Sequence, residues 1–154
     1  KTISSLAIFN YNTLHLHLTD DQGWRLESKV FPLLHEVGSI RKHSQNNHGQ
    51  LKATFDGIDH SGFLTHKDVR GIIRHASSLG IQVVPEINIP GHTGALLAAY
   101  PQFGVNQNHV EVSGRWGISN YLLRPFPETF EFLEKVFQEV AQLFPSDHIH
   151  VVGD

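Results

Sequence analysis

Apolar and polar residues alternate with a period of two in three segments of the chain. These segments are residues 13–19, 81–87 and 148–152, and their pattern predicts three β-strands. Between them, apolar residues spaced three and four positions apart predict amphipathic helices over residues 66–79 and 127–143. Because strands and helices alternate along the sequence, the expected fold class is α/β, with parallel strands joined by right-handed helical crossovers.

The two long predicted helices carry signals at their ends. Thr65 and Asp68 have the spacing of an N-terminal capping pair, Gly80 follows the first helix, and Pro127 opens the second. The expected core-facing positions are Ile72, Ile73, Ala76 and Leu79 in the first helix and Phe130, Leu133, Val136, Phe137 and Val140 in the second.

The remaining segments are predicted as short helices or loops. Helical turns are expected near residues 1–10 and 93–99, whereas residues 42–61, rich in His, Asn, Gln and Gly, predict a loop. No G-x-G-x-x-G motif follows the first predicted strand, which argues against a dinucleotide site.

Composition narrows the classes of partner. The chain has 154 residues and a formal net charge of −3, so no basic surface suggests nucleic acid. Its apolar runs are too short to predict a membrane span. The chain has no cysteine, which leaves the cellular compartment open, and no methionine, from which we expect an internal piece of a longer protein. Composition does not indicate the oligomeric state.

Ionisable side chains cluster where the three predicted strands end. Asp20 and Asp21 follow the first strand, Glu86 and His92 end the second, and Asp154 follows the third. In parallel α/β folds the carboxyl ends of the strands are where catalytic groups gather. Carboxylates beside a tryptophan, here Trp24, also suit a sugar, whose ring stacks on the indole while its hydroxyls bond the acids.

Three motifs in this order resemble the family 20 glycoside hydrolases, the β-N-acetylhexosaminidases. They are HLHLTDDQGWR at residues 15–25, PEINIPGH at residues 85–92, and H-x-x-GD at residues 150–154. The resemblance covers nearly the whole chain. It implies a (β/α)8 TIM barrel, of which residues 1–154 would form a partial catalytic domain containing the second, third and start of the fourth βα units.

The resemblance also implies a chemistry, which is retaining hydrolysis assisted by the substrate's own acetamido group. Asp154 matches the acid that polarises this group, and a glutamate directly after it would act as the acid/base. The chain ends at Asp154, so we expect the isolated chain to be inactive and prone to association. Val152 stands where the family usually has glycine. The implied substrates are glycans with terminal N-acetylglucosamine or N-acetylgalactosamine, and no cofactor is implied.

The same resemblance assigns further roles. His92 would form a relay with Asp20, which the alternation places on the face of Leu16 and Leu18, while Asp21 would belong to the turn. Asp21, Trp24, Glu86 and His150 would bind substrate or support the catalytic residues.

Two alternatives stay open. The missing glutamate and Val152 are compatible with a catalytically inactive sugar-binding fragment. A chain with 12 histidines could instead bind zinc through His15 and His17, with His92 or His150 as a third ligand, although no metal site is expected.

Overall fold

The computed structural model describes residues 1–47 and 52–154. The predicted loop at residues 42–61 therefore lies partly outside the described residues, as does His48. The helices are α1 (Thr2–Ile8), α2 (Leu33–Glu36), α3 (His66–Ser77), α4 (Gly94–Ala99) and α5 (Pro127–Leu143), with a 3₁₀ turn at Pro101–Phe103. The strands are β1 (Thr13–His17), β2 (Thr19–Asp20), β3 (Gly23–Trp24) and β4 (Gln82–Glu86).

Strands β1 and β4 form a parallel ladder that organises the molecule. His17 lies opposite Glu86, and His15 lies opposite Val84. Since residues opposite each other in a ladder point to the same side, His15, His17 and Glu86 share one face. The other face carries Leu14, Leu16, Val83 and Pro85.

The first predicted strand is interrupted. β1 ends at His17, and after Leu18 the chain enters an antiparallel hairpin of β2 and β3, in which Asp20 lies opposite Gly23. Leu18 takes no part in either strand, although its carbonyl accepts a hydrogen bond from Arg25 N at 2.8 Å. The short hairpin is what carries the Asp20–Asp21 pair.

The third predicted strand, residues 148–152, is wrong as an extended element. Only His150 pairs, in a parallel bridge with Glu86, where His150 N donates to Pro85 O at 2.9 Å and Ile87 N donates to His150 O at 3.0 Å. Gly153 has φ 84°, a left-handed conformation that ends any extended run. The bridge nevertheless keeps the parallel direction that was expected.

The core lies between the apolar face of the ladder and helices α3, α4 and α5. Its most buried members include Leu34, Val69, Ile81, Ile87 and Val136. Thr65 caps α3 as predicted, because its hydroxyl accepts from Asp68 N while the Asp68 carboxylate accepts from Thr65 N.

Two expected core positions are wrong. Phe130 is 59% exposed, and its place is taken by Phe132, which packs on Phe31 and Phe103 with ring centroids 4.4 and 4.3 Å apart. Phe31 and Phe103 lie outside α5, and the periodicity of α5 carries no information about where they are. Leu79 is 40% exposed because α3 ends before it, at Ser77. None of the described helices combines the length and apolar character needed to cross a bilayer.

Candidate active site

The β2–β3 hairpin presents two adjacent aspartates of very different exposure. Asp21 lies in the turn, as expected, yet it is only 1% exposed. Its Oδ1 accepts from Gly94 N at 2.8 Å, at the start of α4, and its Oδ2 accepts from the Ser119 hydroxyl at 2.6 Å. Asp21 therefore joins the hairpin to α4 and to the loop that precedes α5.

Asp20 is turned toward His92. Its Oδ1 lies 3.1 Å from His92 Nδ1 and accepts from Asp21 N at 2.6 Å. Asp21 Oδ2 is slightly farther from the same His92 nitrogen, at 3.3 Å. The carboxylate nearer to His92 is thus that of Asp20, in the order expected from the sequence.

His92 also reaches the C-terminal aspartate. His92 Nε2 lies 3.7 Å from Asp154 Oδ2, so one imidazole stands between the Asp20 and Asp154 carboxylates. His92 has φ 52°, a left-handed conformation that is costly for a residue with a side chain. Gly91 N donates to Asp154 O at 2.8 Å, and a Cβ at Gly91 would lie 2.6 Å from that oxygen. This close approach requires glycine.

Beneath this group, the polar face of the ladder surrounds Glu86 with histidines. The Glu86 side chain is 5% exposed, and its Oε2 lies 2.5 Å from His15 Nε2 and 2.9 Å from His150 Nδ1. Its Oε1 lies 2.5 Å from His17 Nδ1, close enough for an ion pair but outside hydrogen-bond angles. These contacts follow from the register, since His17, Glu86 and His150 are consecutive partners across the sheet.

His17 links the two groups of residues. Its Nε2 bonds Asp20 Oδ2 at 3.0 Å, although strict alternation places Asp20 on the opposite face, with Leu16 and Leu18. That expectation is wrong because the strand breaks at Leu18, which resets the alternation. From the sequence, His17 is named only as a candidate zinc ligand. The signal that could have identified it is the shared face of His15 and His17 and their alignment with Glu86.

Two arginines bind the backbone of the β2–β3 hairpin. The Gln22 carbonyl, next to Asp21, accepts from Arg41 Nη1 at 2.9 Å and from Arg25 Nη2 at 3.1 Å. The positive charge of Arg41 lowers the pKa of the neighbouring His60 imidazole, and burial adds to this. The charge of Arg25 lowers the pKa of His60 in the same direction.

The two tryptophans differ in accessibility. Trp24 is 2% exposed and its Nε1 donates to Leu26 O at 2.7 Å, so it braces the hairpin and offers no ring face to a ligand. Trp116 is 64% exposed and borders a cavity of about 400 Å³ that Asp20, Gln22 and His92 also line.

Comparison with known proteins decides the family. The sequence profile described as "Glycosyl hydrolase family 20, catalytic domain" matches residues 1–154. The chain belongs to glycosyl hydrolase family 20. It is 40% identical to the beta-hexosaminidase of Porphyromonas gingivalis over 155 residues and 38% identical to that of Vibrio furnissii over 156 residues. All of the chain is covered in both comparisons, but it spans only 18% and 25% of those relatives' lengths.

Solved structures of family 20 proteins share the fold. A beta-N-acetylhexosaminidase crystal structure superposes with a TM-score of 0.90 at 38% identity, covering 99% of this chain and 31% of that one. The family 20 beta-N-acetylhexosaminidase from Streptomyces coelicolor A3(2) gives a TM-score of 0.81 at 32% identity, covering 97% and 28%. A mutant Streptomyces plicatus beta-hexosaminidase that gives the same TM-score was solved with its product, GlcNAc.

Two clusters of side chains contain the kinds of ligand atom that could hold a cation. They are His15 with Glu86 and His150, and Asp20 with Asp21 and His92. Ligand atoms around a tetrahedral zinc lie about 3.3 Å apart, as bonds of 2.0–2.1 Å require. The contacts of 2.5 and 2.9 Å in the first group are tighter, which fits direct ion pairs. The zinc alternative remains a hypothesis, with Glu86 as a ligand that sequence reasoning did not supply.

Proposed function

We propose that the complete gene product hydrolyses terminal β-linked N-acetylglucosamine or N-acetylgalactosamine residues of glycans, with retention of configuration. The meeting of Asp20, His92 and Asp154 carries this proposal, with distances of 3.1 and 3.7 Å from the imidazole to the two carboxylates. Family membership supports the same conclusion. The reaction needs carboxylates and the substrate's own amide, and therefore no cofactor.

Asp154 orients the substrate in this proposal. Its carboxylate accepts a hydrogen bond from the acetamido N–H, which turns the acetamido carbonyl oxygen toward the anomeric carbon. As that oxygen attacks, the C1–O bond breaks and an oxazolinium ion forms, whose positive charge the carboxylate stabilises. The exposure of the Asp154 side chain, 61%, leaves it open to a ligand.

His92 serves the proton transfer. In this proposal, the acid/base is a glutamate directly after Asp154, as expected from the resemblance to the family. That glutamate protonates the leaving oxygen and then activates water. His92, fixed on one side by Asp20, presents Nε2 toward this acidic pair. A positioned imidazole of this kind can tune the acid by hydrogen bonding as the glutamate changes its charge.

The other site residues act as supports. Asp21 and Trp24 are buried and hold the hairpin, while Glu86 and His150 lie beneath it on the polar face. We infer that residues 1–154 form the second, third and start of the fourth βα units of a (β/α)8 barrel whose lumen this face lines. Parallel pairing of β1, β4 and His150, in that order, supports the inference.

Hydrolysis of an aryl N-acetyl-β-glucosaminide by the complete gene product tests the proposal. Asp154→Ala should lower kcat by about a hundredfold to a thousandfold, because one charge-stabilising group is lost. The loss should persist with a good leaving group, which needs no acid, whereas a variant of the acid/base glutamate should recover with that substrate. The matched control is Asp147→Ala, at an exposed aspartate before the bridge.

Other outcomes would favour other functions. Binding of N-acetylglucosamine without any turnover would indicate the inactive sugar-binding alternative, to which Val152 is relevant. Equal dependence on the leaving group in the two variants would contradict separate roles for the two acids.

A further inference from the structure

We propose that His17 and Glu86 are positioning residues for the Asp20–His92 pair. The chain of contacts that orients His92 then begins at the buried Glu86 side chain of β4. The inference rests on the proposed hydrolase function. The structure contains a continuous path of close contacts that runs from Glu86 through His17 and Asp20 to His92. Its successive distances are 2.5, 3.0 and 3.1 Å.

Glu86 is the buried end of this path. A carboxylate that is only 5% exposed is stable when a positive partner balances it. Among the described residues, every ion pair of Glu86 is with a histidine, namely His15, His17 or His150. The buried Glu86 carboxylate is therefore surrounded by imidazole nitrogens.

His17 is the histidine that carries this effect to the site. Both of its ring nitrogens face carboxylates, Nδ1 toward Glu86 and Nε2 toward Asp20. The ring is therefore held between two carboxylates, which fixes its orientation beside Asp20.

The two oxygens of Asp20 then have separate tasks. Oδ2 is held by His17, while Oδ1 receives Asp21 N and faces His92. Removing His17 would free one oxygen, let the carboxylate rotate, and disorder the ring it orients. The titratable groups around Asp20, directly or through one neighbour, are His17, Asp21, His92, Glu86, His15, His150 and Asp154.

His15 provides a matched control. It lies on the same strand and face as His17, it is similarly exposed, and it approaches Glu86 to the same 2.5 Å. Within the described part of the chain, the carboxylate that His15 pairs with is Glu86, whereas His17 pairs with Asp20 as well. A role in packing or in balancing Glu86 alone would make the two histidines equivalent.

The experiment compares His17→Leu, His17→Gln and His15→Leu in the complete gene product. We expect His17→Leu to lower kcat by about tenfold with KM changed by less than about twofold. His17→Gln keeps a hydrogen-bonding side chain toward Asp20, so it should recover part of kcat.

His15→Leu should lower kcat by less than His17→Leu does. Glu86→Gln should lower kcat in the same direction as His17→Leu, and the double variant should show no further loss, since both changes act on one path. Equal losses of kcat in the His17→Leu and His15→Leu variants would overturn the inference while leaving the hydrolase function intact.

Ring ¹⁵N chemical shifts of His92 in the same protein give a readout that needs no turnover. His17→Leu should change them and His15→Leu should not. Absence of hydrolysis in the wild type would refute the proposed function, and this comparison would still decide the positioning role. Variants that fail to fold are recognised by circular dichroism, and His17→Gln, the smallest change, then decides the outcome.

Discussion

One face of the β1–β4 ladder carries Leu14, Leu16, Val83 and Pro85 and packs toward the helices, whereas the other carries His15, His17 and Glu86. The apolar face is stabilised by the area it removes from water, which tolerates small changes of shape. The polar face depends on specific pairs, in which each carboxylate oxygen has a particular nitrogen opposite it. The pleat of β1 and β4 thus places the residues that stabilise the fold on one face and the residues of the candidate site on the other.

This separation predicts that the two faces respond differently to mutation. Changes behind the sheet should alter the free energy of unfolding with little effect on kcat of the folded protein. Changes on the polar face should alter kcat or its pH dependence with a smaller effect on unfolding.

The largest expected effect is on stability, at Ile81. This side chain is 2% exposed next to Ala76 of α3, whose carbonyl accepts from Ile81 N at 2.9 Å. Ile81→Ala should lower the free energy of unfolding by about 2–5 kcal/mol, from lost burial and a residual cavity. Urea unfolding of the complete gene product, followed by tryptophan fluorescence, measures the change.

Leu79→Ala is the matched control, since Leu79 is 40% exposed only two residues away. Its effect should stay within about 0.5 kcal/mol. A fall in kcat of folded Ile81→Ala protein comparable to its loss of stability would show that the two faces are coupled.

The next effect is on catalysis, at Asp20. Asp20→Asn keeps the size of the side chain but removes its charge and replaces one acceptor oxygen by an N–H donor, which alters the contacts with His17 and His92. We expect kcat to fall by about a hundredfold, with the urea midpoint nearly unchanged. Steady-state kinetics with an aryl N-acetyl-β-glucosaminide, beside Asp147→Asn, provides the test, and unaltered kcat would remove Asp20 from the relay.

The features that the sequence could predict are those that depend on neighbouring residues or on a motif. Periodicity predicted α5 at the bounds observed, and the Thr65–Asp68 spacing predicted the start of α3, because both depend on neighbours within one turn of helix. The alternation of strands and helices along the sequence also predicted that β1 and β4 run parallel. The motif residues Asp20, His92 and Asp154 do lie together, as the resemblance to the family implied.

What the sequence could not supply are contacts that depend on register or on irregular segments. His17 faces Glu86 only because residue 17 lies opposite residue 86, and this pairing has no local signature. Phe132 packs on Phe31 and Phe103, and Asp21 bonds Gly94 and Ser119, and all of these partners are far away in sequence. Periodicity also does not reveal that residues 148–152 pair only at His150.

The smallest expected effect is at the start of α3. Glu27 Oε2 accepts from His66 N at 2.6 Å, and this backbone hydrogen bond is the main reason why the pKa of Glu27 is lowered. Because the folded pKa is below that of the unfolded chain, Glu27 stabilises the fold fully above the unfolded value of about 4.3. This stabilisation is lost as the pH falls through the folded pKa.

Glu27→Gln should therefore lower stability near pH 7 by about 0.5 kcal/mol, the size of a charge effect at a helix N-terminus, and the difference from wild type should vanish in acid. Urea midpoints measured from pH 7 to pH 3 test this, with Glu131→Gln on the exposed side of α5 as control. A difference that persisted below pH 3 would mean that the substituted amide perturbs packing and that the carboxylate charge is not what holds α3. Unchanged kcat across the series would confirm that the outer layer and the polar face act independently.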